Sequence, residues 1–111
     1  MSDIVELFRS TAALYARFEV EPTLENTSRR FFEEVCEFKE ACDYGEFTDA
    51  MDLIADEAAD VLVTTIGMLL AAGVGAKALQ AAIERVIVKN DSKTHTTHEL
   101  VNGKITRKAQ S

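Results

Sequence analysis

The chain has 111 residues, the usual size of one domain, and 47% of them are hydrophobic while 28% are charged. This balance excludes disordered, collagen-like and low-complexity chains. Nineteen Asp and Glu outnumber twelve Lys and Arg, which gives a formal net charge of -7. Such a charge disfavours binding to nucleic acid and to anionic membrane surfaces, so neither is expected as a partner.

The cysteines and the apolar stretches bear on where the protein resides. Cys36 and Cys42 fall six residues apart in one predicted helix, a separation of about 9 Å that exceeds the roughly 7 Å limit for a disulfide. The longest apolar stretch, residues 61–74, is shorter than the roughly 20 residues of a membrane helix. Reduced thiols and the absence of a leader sequence predict a cytoplasmic protein.

Apolar periodicity predicts four helices in the larger, N-terminal part of the chain. They are expected over residues 3–18, 22–43, 48–72 and 76–89. Pro22 suits the first turn of the second helix, and Gly45 is expected to end that helix. The side chain of Thr48 can cap the third helix.

The second half of the third predicted helix, residues 61–72, is apolar or small on every side and has to be covered from all directions. Four helices from one short chain cover it poorly. The sequence therefore predicts an all-α four-helix bundle that is completed by oligomerisation, as a homodimer or a homotetramer.

In the last part of the chain, helical periodicity gives way to short runs in which polar and apolar residues alternate. These runs flank Asn102-Gly103, a dipeptide typical of a two-residue β-hairpin. We expect one domain over residues 1–111, helical over 3–90, with a tail and hairpin over 91–111. Such a hairpin is marginal alone and must pack on the helices or on a partner subunit. The sequence assigns no role to His95 and His98 in this tail.

Two pairs of acidic residues lie beside predicted core positions. Glu34 and Glu37 border the apolar stripe of the second helix, about 60° and 120° from Phe31 around its axis. Glu57 and Asp60 fall in the angular sector of the third helix that its core residues occupy. Other acids point toward solvent sectors and are expected to form a solvated face, namely Glu33, Glu40, Asp49, Asp52 and Asp56. Glu33, next to the pair, is also able to hold a water or a ligand in place.

Burial of ionised carboxylates without a partner is costly, and residues 51–70 contain no Lys or Arg to offset the charge. A divalent cation supplies the missing positive charge. Carboxylates on two facing helices are the hard oxygen ligands that Mg²⁺ prefers. The sequence therefore predicts a Mg²⁺ site formed by Glu34, Glu37, Glu57 and Asp60.

The order of these residues resembles a known family. Glu33-Glu34-x-x-Glu37 followed by Glu57-x-x-Asp60 is similar to the EExxE...ExxD signature of the MazG-like all-α nucleoside triphosphate pyrophosphohydrolases. Residues 89–93, Lys-Asn-Asp-Ser-Lys, resemble the phosphate-binding segment of that family. The resemblance spans roughly residues 20 to 95.

The resemblance implies a dimer or a dimer of dimers with Mg²⁺ at each active site. Members cleave nucleoside triphosphates to monophosphate and pyrophosphate, often as house-cleaning of unwanted nucleotides. Carried over by position, Glu34, Glu37, Glu57 and Asp60 would bind the metal. Glu34 or Glu37, assisted by Glu33, would accept a proton from the attacking water.

Lys89 and Lys93 can meet phosphate oxygens, and Asn90 can hydrogen-bond the sugar or a phosphate. The two lysines equally suit the ordinary preference for positive charge at a helix C-terminus. The residues that would stack on the base stay open, with Phe8, Tyr15 and Phe18 as aromatic candidates that fit a core equally well. A non-catalytic oligomerisation or partner-binding module is the alternative function.

Overall fold

The computed structural model describes residues 3–48 and 51–109, with residues 46–48 described by their backbone alone. This part of the chain forms four helices followed by two strands, which confirms the predicted fold class of four helices and a C-terminal hairpin. The elements are α1 (Asp3–Arg17), α2 (Leu24–Thr48), α3 (Met51–Ala71), α4 (Ala76–Ser92), β1 (His98–Val101) and β2 (Lys104–Arg107).

The connection between α1 and α2 begins with a Schellman motif. The amide of Val20 donates to the carbonyl of Tyr15 at 2.9 Å, and the amide of Glu19 donates to the carbonyl of Ala16 at 3.2 Å. This motif needs a left-handed residue, and Glu19 takes a φ of 56°. Gly73, with a φ of 78°, occupies the equivalent position after α3.

A reciprocal capping box starts α2. The amide of Asn26 donates to Thr23 Oγ1 at 3.1 Å, and the amide of Thr23 donates to Asn26 Oδ1 at 3.0 Å. The helix consequently begins at Leu24. Placement of Pro22 in its first turn is wrong, because the paired Thr23 and Asn26 bonds set the start of the helix two residues later.

The predicted end of α2 is also wrong, since the helix continues through Gly45 to Thr48. A Cβ at position 45 would collide with the Cδ1 atom of Ile54. Glycine at this position therefore permits close packing of α2 on α3 and does not end the helix. Because Thr48 is the last residue of α2, it does not begin α3, which is described from Met51 onward.

The chain divides into two compact units, Met1–Ala78 and Leu79–Ser111, here named the N-terminal and C-terminal units. In the N-terminal unit, α2 and α3 form an antiparallel pair, and α1 packs on α3. The hydroxyl of Tyr15 on α1 lies 2.6 Å from where a Cβ of Gly67 on α3 would stand. Ile66 and Phe8 are its buried hydrophobic residues among those described.

The C-terminal unit contains most of α4 and the hairpin. β1 pairs with β2 in antiparallel register, with Leu100 opposite Ile105. Asn102 and Gly103 both have positive φ values, 51° and 78°, as a type I′ turn requires. The predicted Asn-Gly hairpin is therefore confirmed.

Cys36 and Cys42 are free thiols, as predicted from their spacing. Within residues 3–48 and 51–109, none of the helices combines the length and the apolar character needed to cross a bilayer.

Replacement of Glu19 by glycine is expected to stabilise the protein. The left-handed conformation costs a residue with a Cβ about 1–2 kcal/mol, which exceeds the entropic disadvantage of glycine of about 0.5–1 kcal/mol. We expect urea denaturation to show a gain of about 0.5–1 kcal/mol in the free energy of unfolding. Glu21→Gly, in the same loop but without a positive φ, is the control and should lose stability; an equal change in both variants would contradict the strain at Glu19.

Candidate metal centre

Three carboxylates meet where α2 faces α3. Glu34 and Glu37 project from successive turns of α2, and Glu57 projects from α3. One oxygen from each of the three lies within 4.8 Å of the others. We refer to these three residues as the carboxylate cluster. Like charges at this separation repel one another unless a proton or a cation lies between them.

Glu34 is the most buried acid of the cluster, with 6% of its surface exposed. Arg30, one turn earlier on α2, donates from Nη2 to Glu34 Oε1 at 2.9 Å and from Nη1 to Glu33 Oε2 at 2.6 Å. This arginine was missed because only residues 51–70 were considered as a source of positive charge. Its position four residues before Glu34 is the signal that could have found it.

One oxygen of Glu34 and one of Glu57 remain unsatisfied. Within the described part of the chain, Glu34 Oε2 and Glu57 Oε2 are buried and have no hydrogen-bond partner. A buried carboxylate oxygen without a donor is unfavourable, since it loses its hydration and gains nothing in return. Arg30 donates a hydrogen bond to Oε1 of Glu34 but leaves Oε2 without a donor. The donor set, all carboxylate oxygens, fits a hard divalent cation such as Mg²⁺.

The pKa shifts of the cluster also favour a bound cation. Burial raises the pKa of Glu34, the neighbouring carboxylate of Glu37 raises it further, and Arg30 lowers it. Burial also raises the pKa of Glu57, followed by the charges of Glu37 and Asp60. Both shifts mean that negative charge is disfavoured here in the absence of a cation.

The other predicted acids lie around the cluster. Asp60, predicted as a fourth metal ligand, is exposed and outside the group of three, although its charge acts on both Glu34 and Glu57. Glu33, predicted to assist proton transfer, is exposed and paired with Arg30. Of the acids expected to form a solvated face, four are exposed, namely Glu33, Glu40, Asp52 and Asp56. The fifth, Asp49, lies outside the described residues.

The predicted phosphate-binding residues belong to the C-terminal unit, which is described by itself. α4 continues to Ser92, three residues beyond its predicted end, so Lys89 and Asn90 are helical and Lys93 directly follows. Asn90 and Lys93 line a cavity of about 630 Å³ together with His98, whereas Lys89 is not part of its lining. Of the described residues, neither histidine belongs to a cluster of metal-binding type.

The aromatic residues proposed for base stacking differ in exposure. Phe8 is buried and belongs to the core, whereas Tyr15 is half-buried against Gly67. Phe18 is 70% exposed just after α1. A recess beside the carboxylate cluster is instead bordered by Tyr44, a residue that the sequence analysis did not consider.

Comparison with protein families bears directly on this site. Residues 13–86, more than half of the chain, match the model of the phosphoribosyl-ATP pyrophosphohydrolase family. The chain belongs to this family. The phosphoribosyl-ATP pyrophosphohydrolase family is part of the MazG-like all-α superfamily, so the resemblance inferred from the acidic motifs is confirmed. Comparison with curated proteins and with solved structures finds no significant match.

Membership of the phosphoribosyl-ATP pyrophosphohydrolase family indicates a pyrophosphohydrolase-type activity on a nucleotide. The matched range contains all of α2 and α3, and hence every residue of the carboxylate cluster. It ends before Lys89, Asn90 and Lys93. Enzymes of this type typically depend on a metal, which agrees with a cluster of three acids able to bind one.

Neutralisation of Glu57 is expected to stabilise the metal-free protein. A carboxyl whose pKa is raised by folding contributes stability below its unfolded pKa, and this contribution is lost as the pH rises through the folded pKa. The melting temperature of Glu57→Gln should therefore exceed that of the wild type at pH 7 in EDTA, and the difference should vanish near pH 4.

The exposed neighbour Asp56 provides the control for this comparison, as Asp56→Asn should change the melting temperature far less. Addition of Mg²⁺ should raise the melting temperature of the wild type and of Asp56→Asn but not that of Glu57→Gln. A Glu57→Gln protein that is less stable than the wild type at pH 7 without metal would contradict the claim that the ionised Glu57 carboxylate destabilises the metal-free protein.

Proposed function

We propose that the protein is a Mg²⁺-dependent nucleoside triphosphate pyrophosphohydrolase that releases monophosphate and pyrophosphate. The observation that carries this proposal is the carboxylate cluster, in which two buried oxygens have no partner among the described residues. Removal of unwanted or excess ribo- or deoxynucleotides is the proposed role. The cytoplasm is the proposed location.

In this proposal, Glu34, Glu37, Glu57 and Asp60 hold Mg²⁺. When bound, Mg²⁺ neutralises phosphate charge and lowers the pKa of water. Arg30 fixes the orientation of the Glu34 carboxylate through Oε1.

A proton from the attacking water would pass to Glu34 or Glu37. Glu33, joined to Glu34 through Arg30, would help to keep the base in position.

Lys89, Asn90 and Lys93 are proposed to bind substrate phosphates or sugar. The distribution of charge supports this, since residues 79–111 contain six Lys and Arg against three Asp and Glu, whereas residues 1–78 contain six against sixteen. The basic segment is suited to an anionic ligand, and the acidic segment is suited to a cation.

A homodimer or homotetramer is proposed as the active form. Among the described residues, Phe8 and Ile66 are the buried hydrophobic side chains, although 47% of the chain is hydrophobic. Large apolar side chains on α2 and α3 are more than half exposed, namely Leu24, Phe32 and Met51. Exposure on this scale favours association with further copies of the chain.

Phosphoribosyl-ATP is the second candidate substrate, because the matched family carries its name. Both substrates would lose pyrophosphate from a triphosphate at the same carboxylate cluster. A screen of ribo- and deoxynucleoside triphosphates beside phosphoribosyl-ATP, with pyrophosphate detection, would separate them. Higher kcat/KM for phosphoribosyl-ATP than for every nucleoside triphosphate would overturn the house-cleaning role.

A non-catalytic oligomerisation or partner-binding module is the alternative from another class. Such a module gains nothing from buried acids without donors, because their repulsion reduces stability. The orphaned oxygens of Glu34 and Glu57 therefore favour the enzyme.

Glu57→Gln and Asp60→Asn are each expected to abolish Mg²⁺-dependent pyrophosphate release while circular dichroism shows an unchanged helical fold. Loss of a carboxylate ligand removes charge that the cation requires. Asp56→Asn, on the same helix and exposed, should retain activity. Turnover at the wild-type rate in both ligand variants would remove the metal assignment.

Lys93→Gln is expected to raise KM about tenfold with little change in kcat, because a phosphate contact made equally in ground and transition states affects binding alone. Lys77→Gln, an exposed substitution at the start of α4, is the matched control. Steady-state kinetics at saturating Mg²⁺ would measure both. An unchanged KM in Lys93→Gln would return this lysine to the role of a helix-end charge.

A further inference from the structure

A recess opens directly beside the carboxylate cluster, between α2 and α3. Its volume is about 240 Å³, below the roughly 300–1,000 Å³ of pockets that hold an entire drug-sized ligand. It therefore suits one part of a substrate. We name it the side groove, and its lining residues are Glu37, Glu40, Ala41, Tyr44, Leu53 and Glu57.

The side groove shares Glu37 and Glu57 with the carboxylate cluster. A ligand held by its phosphates at the cluster can thus continue into the groove without crossing another element. From Glu37 the groove follows α2 for seven residues to Tyr44, about 10 Å along the helix axis. This order, charge at one end and apolar surface at the other, matches a nucleotide with its phosphates and its base.

Tyr44 and Leu53 form the apolar part of the groove from opposite helices. Their exposed fractions are 64% and 50%, so both have surface available to a ligand. An aromatic ring and an aliphatic side chain are the usual surfaces on which a base stacks, and stacking tolerates any base. These two residues give affinity for a base without selecting among bases.

Glu40 supplies the polar contact in the groove. Its carboxylate has no ion pair or hydrogen bond with any other described residue. An ionised carboxylate only accepts hydrogen bonds, so it favours an amino group on the base and disfavours a carbonyl oxygen at the same position. Unlike Glu37 and Glu57, it is not part of the carboxylate cluster.

We propose that the side groove binds the base of the substrate, with Tyr44 and Leu53 stacking on it and Glu40 accepting a hydrogen bond from its exocyclic amino group. The protein should accordingly prefer bases with an amino group over the same bases with a carbonyl oxygen. This inference rests on the proposed function for the nature of the ligand and adds its selectivity.

Two substrate pairs isolate the amino group, ATP with ITP and CTP with UTP. We expect kcat/KM of the wild type to be at least about tenfold higher for the amino member of each pair, corresponding to one hydrogen bond to a charged group. In Glu40→Gln the preference should fall to within about threefold, because an amide both donates and accepts. Glu25 is an exposed acid near the start of α2, and the control variant Glu25→Gln should keep the wild-type preference.

The stacking contribution is tested with Tyr44→Ala, which should raise KM about tenfold for all four nucleotides and leave kcat nearly unchanged. Tyr44→Phe keeps the ring and should restore the wild-type KM. Arg29→Ala removes a comparably exposed side chain from α2 outside the groove and should have no such effect. Equal KM values in the wild type and Tyr44→Ala would overturn the stacking role.

Calorimetric binding of AMP, IMP, CMP and UMP in the presence of Mg²⁺ provides a measurement that does not depend on turnover. Tighter binding of the monophosphates with an amino group, lost in Glu40→Gln, supports the inference. If no triphosphate is hydrolysed in that case, the proposed function alone fails. Hydrolysis without any amino preference overturns the inference and leaves the proposed function in place. Absence of both hydrolysis and monophosphate binding overturns both.

Discussion

Repulsion among the carboxylates of Glu34, Glu37 and Glu57 is the constraint on which the rest of the site depends. Packing of α2 on α3 brings these groups within 4.8 Å, and Arg30 compensates one oxygen of Glu34. Burial and neighbouring charge raise the pKa of both Glu34 and Glu57. A cation with affinity for hard oxygen ligands converts this unfavourable arrangement into a binding site.

The elements around the cluster place it by local interactions that are independent of the metal. The Thr23 and Asn26 capping box fixes the start of α2, and Gly45 lets the far end of that helix approach Ile54 on α3. The packing of α2 along α3 keeps the acids facing one another. The same pairing leaves the side groove open beyond the cluster, so that the candidate metal centre and the proposed base site belong to one helix pair.

Much of this arrangement could be predicted from the sequence, because helical periodicity and the Asn102-Gly103 turn are local signals. The acidic spacing was sufficient to identify the superfamily, and three of the four acids predicted as metal ligands lie within 4.8 Å of one another. Helix ends were less predictable: Gly45 was interpreted as a breaker, although its absent side chain serves a contact with Ile54 that only the folded pair reveals. The exposure of Asp60 and the groove beside Tyr44 likewise depend on how the two helices pack, which angular position on one helix does not determine.

The location of a bound cation is the most direct test of the central claim. Mn²⁺ takes the same oxygen ligands as Mg²⁺ and gives an anomalous X-ray signal. Crystals grown with Mn²⁺ are expected to show an anomalous peak within bonding distance of Glu34, Glu37 and Glu57. Carboxylates that diverge into solvent, with no peak between α2 and α3, would contradict the metal centre.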